Sequence, residues 1–278
     1  RSVVGNLKFI DQINNDGYVV IPNLISATEC EFYKKLLEQD YRDYSNLYCD
    51  AHASVGEQAN KNGEKVVFNL HNKHLSWFKL FEHPEILSIL DVILKEGGYN
   101  DDEPYYLNNI SARCPLKGYP GQQLHLDSKL PGVNYCITAN VIWLLDEFTS
   151  ENGATRLVPR SHHWKEYASE GLVHEDEIRI TGQKGSALIF NANIWHGGAE
   201  NKTEKSRWGA ALGYSRWFVK PSFDFMQNTP EYIFRELTDK QKALLGFNLV
   251  PPKDEFTRLR RRSHLNETPL PYKLPEIK

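Results

Sequence analysis

Three residues near the middle of the chain have the types and spacing needed to bind a divalent metal ion. His125 and Asp127 are two residues apart, and in a strand such neighbours project from the same face. An imidazole and a carboxylate on one face can form one edge of a metal site, although a surface ion pair has the same pattern. His196, which precedes two glycines, offers a third ligand. Two histidines and one carboxylate form a facial triad that leaves coordination positions open.

The composition of this ligand set argues against structural zinc. Structural zinc sites fill all four coordination positions with cysteine and histidine, and no cysteine lies in the segments that carry His125, Asp127 and His196. The triad is typical of iron enzymes that keep positions open for a co-substrate and O2, although zinc enzymes can use similar ligands.

Arg207 indicates which co-substrate would bind beside the metal. It begins an apolar run that extends to Tyr214, and a buried arginine is unfavourable unless it pairs with an anion. Its planar guanidinium fits a carboxylate through two hydrogen bonds, as the distal end of 2-oxoglutarate would require. Gly209, Ala211 and Gly213 share its face and leave room for a bound molecule. An ion pair with a carboxylate of the protein is the alternative.

The region before residue 104 combines helical signals with one short strand. Helical signals occur in three segments: 7–16, 26 to about 42, and 83–95. Ser26 and Glu29 have the spacing of a capping box at the start of the second helix. The apolar run Tyr18–Pro22 predicts a strand. The polar segment Tyr44–Glu64 predicts a long loop, which is a lid candidate because such loops are usually functional in compact domains.

After Pro104 the chain consists of short apolar runs separated by turn residues. Six runs predict strands: 105–114, 122–127, 134–145, 154–159, 186–190 and 206–218. Short strands without intervening helices predict a sandwich or barrel and not a parallel α/β sheet. We therefore expect a mainly β, α+β protein with a double-stranded β-helix core (jelly-roll, cupin-like) and flanking N-terminal helices.

The organisation predicted from these signals is a single domain over residues 1–278. Residues 1–103 would provide helical support and the lid, 104–218 the β-helix core, and 219–278 the C-terminal helix and tail. The C-terminal helix is expected from Pro230 to about Leu245.

Four motifs, in this order, resemble those of the phytanoyl-CoA dioxygenase family. They are Asp16-Gly-Tyr-Val-Val-Ile-Pro22, Gln122-x-x-His125-x-Asp127, Glu151-Asn-Gly-Ala-Thr-Arg-Leu-Val-Pro159-x-Ser161-His162, and Trp195-His196-Gly-Gly-Ala-x-Asn201 with Arg207. The resemblance implies a double-stranded β-helix that binds Fe(II) and couples the oxidative decarboxylation of 2-oxoglutarate by O2 to substrate oxidation. Succinate and CO2 would be the co-products.

The resemblance also assigns roles to individual residues. His125, Asp127 and His196 would bind the iron and form the catalytic centre, and Arg207 would anchor 2-oxoglutarate. Further contacts with 2-oxoglutarate would come from three residues: Gln122, Thr155 and Trp143. A regular strand would turn Gln122 away from the metal, so a kink near residues 120–122 is required, and Gln123 is the alternative. Retention of Asp127 favours hydroxylation over halogenation, because related halogenases lack this carboxylate.

Composition restricts partners and location. The net charge of −3 provides no general attraction to nucleic acid or anionic membranes, and no apolar run approaches the roughly 20 residues that span a bilayer. Four widely spaced cysteines without a CxxC pair predict reduced thiols and a cytoplasmic protein. We expect a small-molecule substrate. Two further hypotheses remain: a catalytically silent metal- or ligand-binding β-helix protein, and a cupin-like metalloenzyme that does not use 2-oxoglutarate.

Overall fold

Two antiparallel sheets form the centre of the protein in a computed structural model that describes residues 3–50, 63–98, 104–205 and 207–251. The strands are β1 (Tyr18–Ile21), β2 (Glu64–Phe68), β3 (Tyr105–Pro115), β4 (Thr138–Leu144), β5 (Thr155–Leu157), β6 (Ile178–Arg179), β7 (Ala187–Asn191), β8 (His196–Gly198) and β9 (Gly209–Arg216). The larger sheet has the order β1-β7-β4-β9-β3-β2, and the smaller has the order β6-β5-β8. This is the arrangement expected of a jelly-roll core.

Helices pack against one side of the larger sheet, and helices also lie near both ends of the described chain. They are α1 (Val3–Asp16), α2 (Ala27–Asp50), α3 (Phe78–Phe81), α4 (Pro84–Ile93), α5 (Glu231–Phe234) and α6 (Asp239–Leu244). The capping box predicted for α2 is present, because the Glu29 backbone N–H donates to the Ser26 hydroxyl at 3.2 Å and the Ser26 backbone N–H donates to Glu29 at 2.8 Å. Short 3-10 helices occur at Leu70–Asn72, Leu75–Trp77, Ser161–His163 and Phe247–Leu249.

Side chains along the strands alternate between the apolar core and a cavity. On β4, Ala139, Val141 and Trp143 belong to the main apolar core, which also contains the buried faces of α1, α2 and α4. Asn140 and Ile142, on the opposite face, line a cavity between the two sheets. The larger sheet therefore has one face that packs against helices and one face that builds a site.

The N-terminal region differs from its prediction in two respects. The loop expected over Tyr44–Glu64 is helical as far as Asp50, where α2 ends, and residues 51–62 of the lid candidate lie outside the described residues. In addition, β1 and β2 form the two edges of the larger sheet, so the β-helix core is not confined to residues 104–218. Glu64 begins β2 because the Glu64–Phe68 segment pairs with β3, a long-range contact that local sequence does not reveal.

The C-terminal helix predicted from Pro230 to Leu245 is divided into α5 and α6. Thr238 interrupts it, since this residue has an extended backbone and caps α6 through a capping box with Gln241.

No helix among the described residues combines the length and the apolar character needed to cross a membrane.

Candidate metal centre and anion site

The two predicted histidine ligands lie side by side because their backbones are paired. The N–H of His125 donates to the carbonyl of His196, and the reverse bond is also formed, each at 2.9 Å. The ring centroids are 4.4 Å apart. The strand expected over residues 122–127 is reduced to this single bridge, whereas β8, which begins at His196, was not expected.

Each imidazole ring is oriented by its own backbone. Nδ1 of His125 lies 2.9 Å from the Gln123 carbonyl, and Nδ1 of His196 lies 3.0 Å from the Ile194 carbonyl. Because a carbonyl only accepts hydrogen bonds, both Nδ1 atoms carry a proton, so Nε2 is the atom that has the lone pair in each neutral ring. Backbone anchoring of this kind fixes the tautomer that a metal ligand needs.

Asp127 completes the set of ligand atoms. Its Oδ1 is 3.4 Å from Nε2 of His125, and its Oδ2 is 3.3 Å from Nε2 of His196. Bonds of about 2.1 Å at right angles would separate neighbouring ligand atoms by about 3 Å, so the three side chains fit one divalent ion. Burial raises the pKa of the Asp127 carboxyl, but the two histidines outweigh burial and hold this pKa well below its usual value.

Asn140 on β4 forms a hydrogen bond with the Asp127 carboxylate. Its Nδ2 donates to Oδ2 of Asp127 at 2.7 Å. This bond engages one carboxylate oxygen and restricts rotation of the side chain, which keeps the carboxylate beside the two Nε2 atoms. Sequence reasoning did not identify Asn140, although its parity on β4 with Ile142 could have placed it on the cavity face.

Arg207 lies at the other end of the cavity and has no carboxylate partner among the described residues. The side chain is 6% exposed, one terminal nitrogen donates to the Gly153 carbonyl, and the guanidinium stacks 4.0 Å above the Phe148 ring. Its Nε is buried without a hydrogen-bond partner. Burial lowers the pKa of Arg207 to about 10. The structure therefore does not support the alternative of an internal ion pair, and it leaves a buried cation with unused donors.

Gly209 keeps the space beside this cation open. A side-chain carbon at this position would lie 3.3 Å from a terminal nitrogen of Arg207 and 3.0 Å from Phe148. The glycine therefore allows a planar guanidinium and an incoming carboxylate to occupy the same part of the cavity.

One cavity of about 170 Å3 contains both ends of the site. It brings together six of the seven residues predicted from the sequence: His125, Asp127, His196, Arg207, Gln122 and Thr155. A polar, partly enclosed space with a metal triad at one end and a free cation at the other can hold a small anion that also contacts the metal.

Gln122 reaches the cavity through the kink that its position required. Gly121 has φ +85°, and residues around it do not form a regular strand. The Gln122 side-chain oxygen accepts a hydrogen bond from the Gly198 N–H at 3.0 Å. The backbone N–H of Gln122 donates to the Gly198 carbonyl at 2.8 Å. Gln123, the alternative, is exposed and does not line the cavity.

Trp143 does not reach the cavity and requires a correction. Its side chain is 0% exposed, lies in the main core and packs edge-on against His83. The physical reason is the alternation of β4, which directs Asn140 and Ile142 to the cavity and Trp143 to the opposite face. Trp143 is therefore withdrawn from the predicted contacts with 2-oxoglutarate.

Three further residues line the anion end and were not assigned to it from the sequence. They are Glu64, Arg113 and Tyr119. Arg113 Nη1 donates to Glu64 Oε2 at 2.8 Å, and Tyr119 is buried beside Gly198. Burial raises the pKa of the Tyr119 hydroxyl, which stays a neutral hydrogen-bond donor. For Glu64 no local signal existed, because its position depends on the pairing of β2 with β3.

Comparison of the chain with protein families matches residues 13–209 to the model described as "Phytanoyl-CoA dioxygenase (PhyH)". A curated relative, the dioxygenase trt7 of Aspergillus terreus, is 24% identical over 252 residues, which cover 88% of this chain and 85% of that protein. The matched segment contains every residue that lines the cavity except Ala211 and Leu212.

Solved structures give the same fold. The epimerase SnoN, in complex with Fe3+, alpha ketoglutarate and nogalamycin RO, superposes with a TM-score of 0.60 at 16% identity, over 82% of this chain and 91% of that chain. HygX from Streptomyces hygroscopicus, with nickel and 2-oxoglutarate bound, has a TM-score of 0.59 at 17% identity, over 77% and 88% of the two chains. The predicted double-stranded β-helix architecture is confirmed.

Proposed function

Because the chain belongs to the phytanoyl-CoA dioxygenase family, we propose that His125, Asp127 and His196 bind Fe(II) and that Arg207 binds 2-oxoglutarate. The family match and the dioxygenase relative confirm the predicted class of activity, a 2-oxoglutarate-dependent dioxygenase. The roles of the individual residues and the nature of the substrate are the proposal.

The observation that carries these roles is the pairing of an intact triad with an unpaired buried arginine in one cavity. A structural arginine would satisfy its charge with a protein carboxylate, and Arg207 does not do so among the described residues. A dianion that contacts the metal with one end and Arg207 with the other satisfies both requirements at once.

The protein's own residues would act by holding and orienting. When bound, Fe(II) and 2-oxoglutarate supply O2 activation and the oxidative decarboxylation that releases succinate and CO2. Arg207 would fix the distal carboxylate, and Gln122 and Thr155 would line the path between this carboxylate and the metal. Phe148 and Phe190 exclude water from the inner wall, which strengthens each polar contact there.

The substrate would approach from the side on which the metal ligands are open. The His125 and Asp127 side chains are 41% and 44% exposed, whereas His196 is almost fully covered. We infer a small-molecule substrate that is hydroxylated near this opening, in line with the retained Asp127. The HygX structure with hygromycin B and the SnoN structure with nogalamycin RO show that proteins of this fold take small molecules.

A cytoplasmic location also belongs to the proposal. Cys30 and Cys136 are buried free thiols, as is usual for proteins of reducing compartments.

Anaerobic addition of Fe(II) and 2-oxoglutarate to the purified protein tests the proposal directly. We expect a weak visible absorption band that requires both components and is absent from an Asp127→Ala protein. A band of unchanged intensity in that variant would contradict the assignment of the ligands.

Two alternatives predict different results in related measurements. A silent binding module would form the band but release no succinate above the level of the Asp127→Ala protein with any substrate. A metalloenzyme that does not use 2-oxoglutarate would show no thermal stabilisation by this compound in the presence of metal, whereas the proposal predicts stabilisation that depends on metal.

A further inference from the structure

Glu64 places a negative charge in the part of the cavity that the proposed function assigns to a negatively charged co-substrate. It is 6% exposed and lines the same cavity as Arg207 and Tyr119. Its charge acts on Arg207, where it opposes the effect of burial on the guanidinium pKa. A carboxylate in the same cavity is a competitor for Arg207, because it offers the same chemical group as the distal end of 2-oxoglutarate.

Arg113 engages this carboxylate from the neighbouring strand. Arg113 lies opposite Val66 in the register of β2 and β3, so Glu64 is its diagonal neighbour on one face of the sheet. Arg113 Nη1 donates to Glu64 Oε2 at 2.8 Å. The ion pair is therefore fixed by strand register and does not depend on a flexible loop.

The charges at this end of the cavity show why the pair matters. Arg113 and Arg207 are cations and Glu64 is an anion, so the three side chains carry one net positive charge. Arg113 lies opposite Gly209 in the register of β3 and β9, at the position where Arg207 has its open space. Without Arg113, Arg207 would be the one arginine left in the cavity lining to pair with the buried Glu64.

We propose that Arg113 is a positioning residue that holds Glu64 away from Arg207 and so keeps Arg207 free for the distal carboxylate of 2-oxoglutarate. The inference rests on the proposed function and extends it to a residue pair that does not contact the metal. The ion pair between Arg113 and Glu64 thereby prevents an ion pair between Glu64 and Arg207, which would occupy the anion site before 2-oxoglutarate binds.

Two single substitutions that break the same ion pair provide the test, because they leave opposite charges behind. Arg113→Met frees the Glu64 carboxylate to pair with Arg207. If Arg207 is then occupied nine-tenths of the time, the Kd of 2-oxoglutarate rises about 10-fold. Glu64→Gln frees Arg113 and removes a negative charge from the cavity, so the Kd stays the same or falls. The double variant Arg113→Met/Glu64→Gln removes the competitor and returns the Kd toward that of the native protein.

The Kd is measured from the anaerobic absorption band at saturating Fe(II), with thermal unfolding of each apo protein recorded in parallel. Arg113→Lys, which keeps the charge, is the conservative control and should raise the Kd less than Arg113→Met. If Arg113→Met does not fold, Arg113→Lys decides the question: we expect a raised Kd that the added Glu64→Gln substitution reverses, and an unchanged Kd in Arg113→Lys contradicts the inference.

Each contrary outcome overturns the inference in a recognisable way. Equal increases in Kd for Glu64→Gln and Arg113→Met would mean that the ion pair is only structural. A double variant as weak as Arg113→Met would mean that Arg113 itself contacts 2-oxoglutarate. If the native protein formed no band at all, the proposed function would fail, whereas a native band with an unchanged Kd in Arg113→Met removes only the role of Arg113.

Discussion

At the metal end of the cavity, the His125 and Asp127 side chains are about two-fifths exposed, whereas Arg207 at the anion end is almost completely buried. The metal end obtains its order from hydrogen bonds: each imidazole Nδ1 is bound to a backbone carbonyl, and Asp127 is bound to Asn140. The anion end has little of this support. Arg207 is held by Gly153 and the Phe148 ring, and its Nε has no hydrogen-bond partner among the residues that the structure describes.

The difference shows that the two ends meet different physical requirements. A metal ion binds strongly through short bonds, so its ligands need correct orientation more than they need exclusion of water. A carboxylate bound by one arginine gains little in water and much more in a dry environment. The protein accepts an unfavourable buried charge at Arg207, and the bound anion would compensate it.

Loss of a metal ligand is the largest effect we expect at either end. Asp127→Ala or His196→Ala should abolish Fe(II) binding and succinate release, because two remaining ligands do not form a facial triad. Metal content after gel filtration and succinate formation measure the two effects. Glu175→Ala, at an exposed carboxylate outside the cavity, is the matched control and should behave as the native protein. Substantial turnover in the Asp127→Ala protein would contradict the assignment of Asp127 as a metal ligand.

Arg207→Met should separate affinity from stability. Removal of a charge-assisted interaction with the distal carboxylate is expected to raise the Kd of 2-oxoglutarate by about 100-fold, or roughly 3 kcal/mol. The same change removes an uncompensated buried charge, so the apo protein should be as stable as the native protein or more stable. Fe(II) affinity should not change.

Titration of the absorption band and thermal unfolding of the apo form test both parts of this prediction. Arg235→Met, at an exposed arginine directly after α5, is the control for loss of one positive charge. A large loss of apo stability in Arg207→Met would indicate a structural role and would remove the contrast between the two ends.

The metal end could be predicted from the sequence because its signals are short-range. His125 and Asp127 share a face by simple alternation, and the kink that Gln122 needed is present at Gly121. The regular strand around them was not necessary, since a single bridge to His196 is sufficient to place the ligands.

The anion end was only partly predictable because its walls come from distant segments. Arg207 was identified by its type and its small neighbours, but the Glu64 and Arg113 pair depends on the register between β2 and β3. Trp143 was misplaced for a different reason. Its assignment came only from the resemblance, whereas the parity of β4 excludes it from the face that carries Asn140.

Asn140→Leu tests how far the metal end depends on its hydrogen bonds. The substitution keeps a similar volume but removes the donor to Asp127 Oδ2. Loss of an outer hydrogen bond to a metal ligand typically lowers metal affinity by about 10- to 100-fold. Competition with a metal-binding dye gives the affinity, and Asn15→Leu at an exposed position on α1 is the control. An unchanged affinity would mean that the metal alone is sufficient to orient Asp127.

We expect the smallest effects from two substitutions, Thr155→Val and Trp143→Phe, which compare a cavity residue with a core residue. Thr155 lines the cavity opposite Gly198, so loss of its hydroxyl should raise the Kd of 2-oxoglutarate a few-fold, or about 1 kcal/mol. Trp143→Phe should not change this Kd, because the side chain lies on the helix-packed face of β4. It should instead lower the unfolding temperature by a few degrees through lost core packing. A raised Kd in Trp143→Phe without a change in stability would restore the sequence-based assignment and contradict the strand parity that separates the core from the cavity.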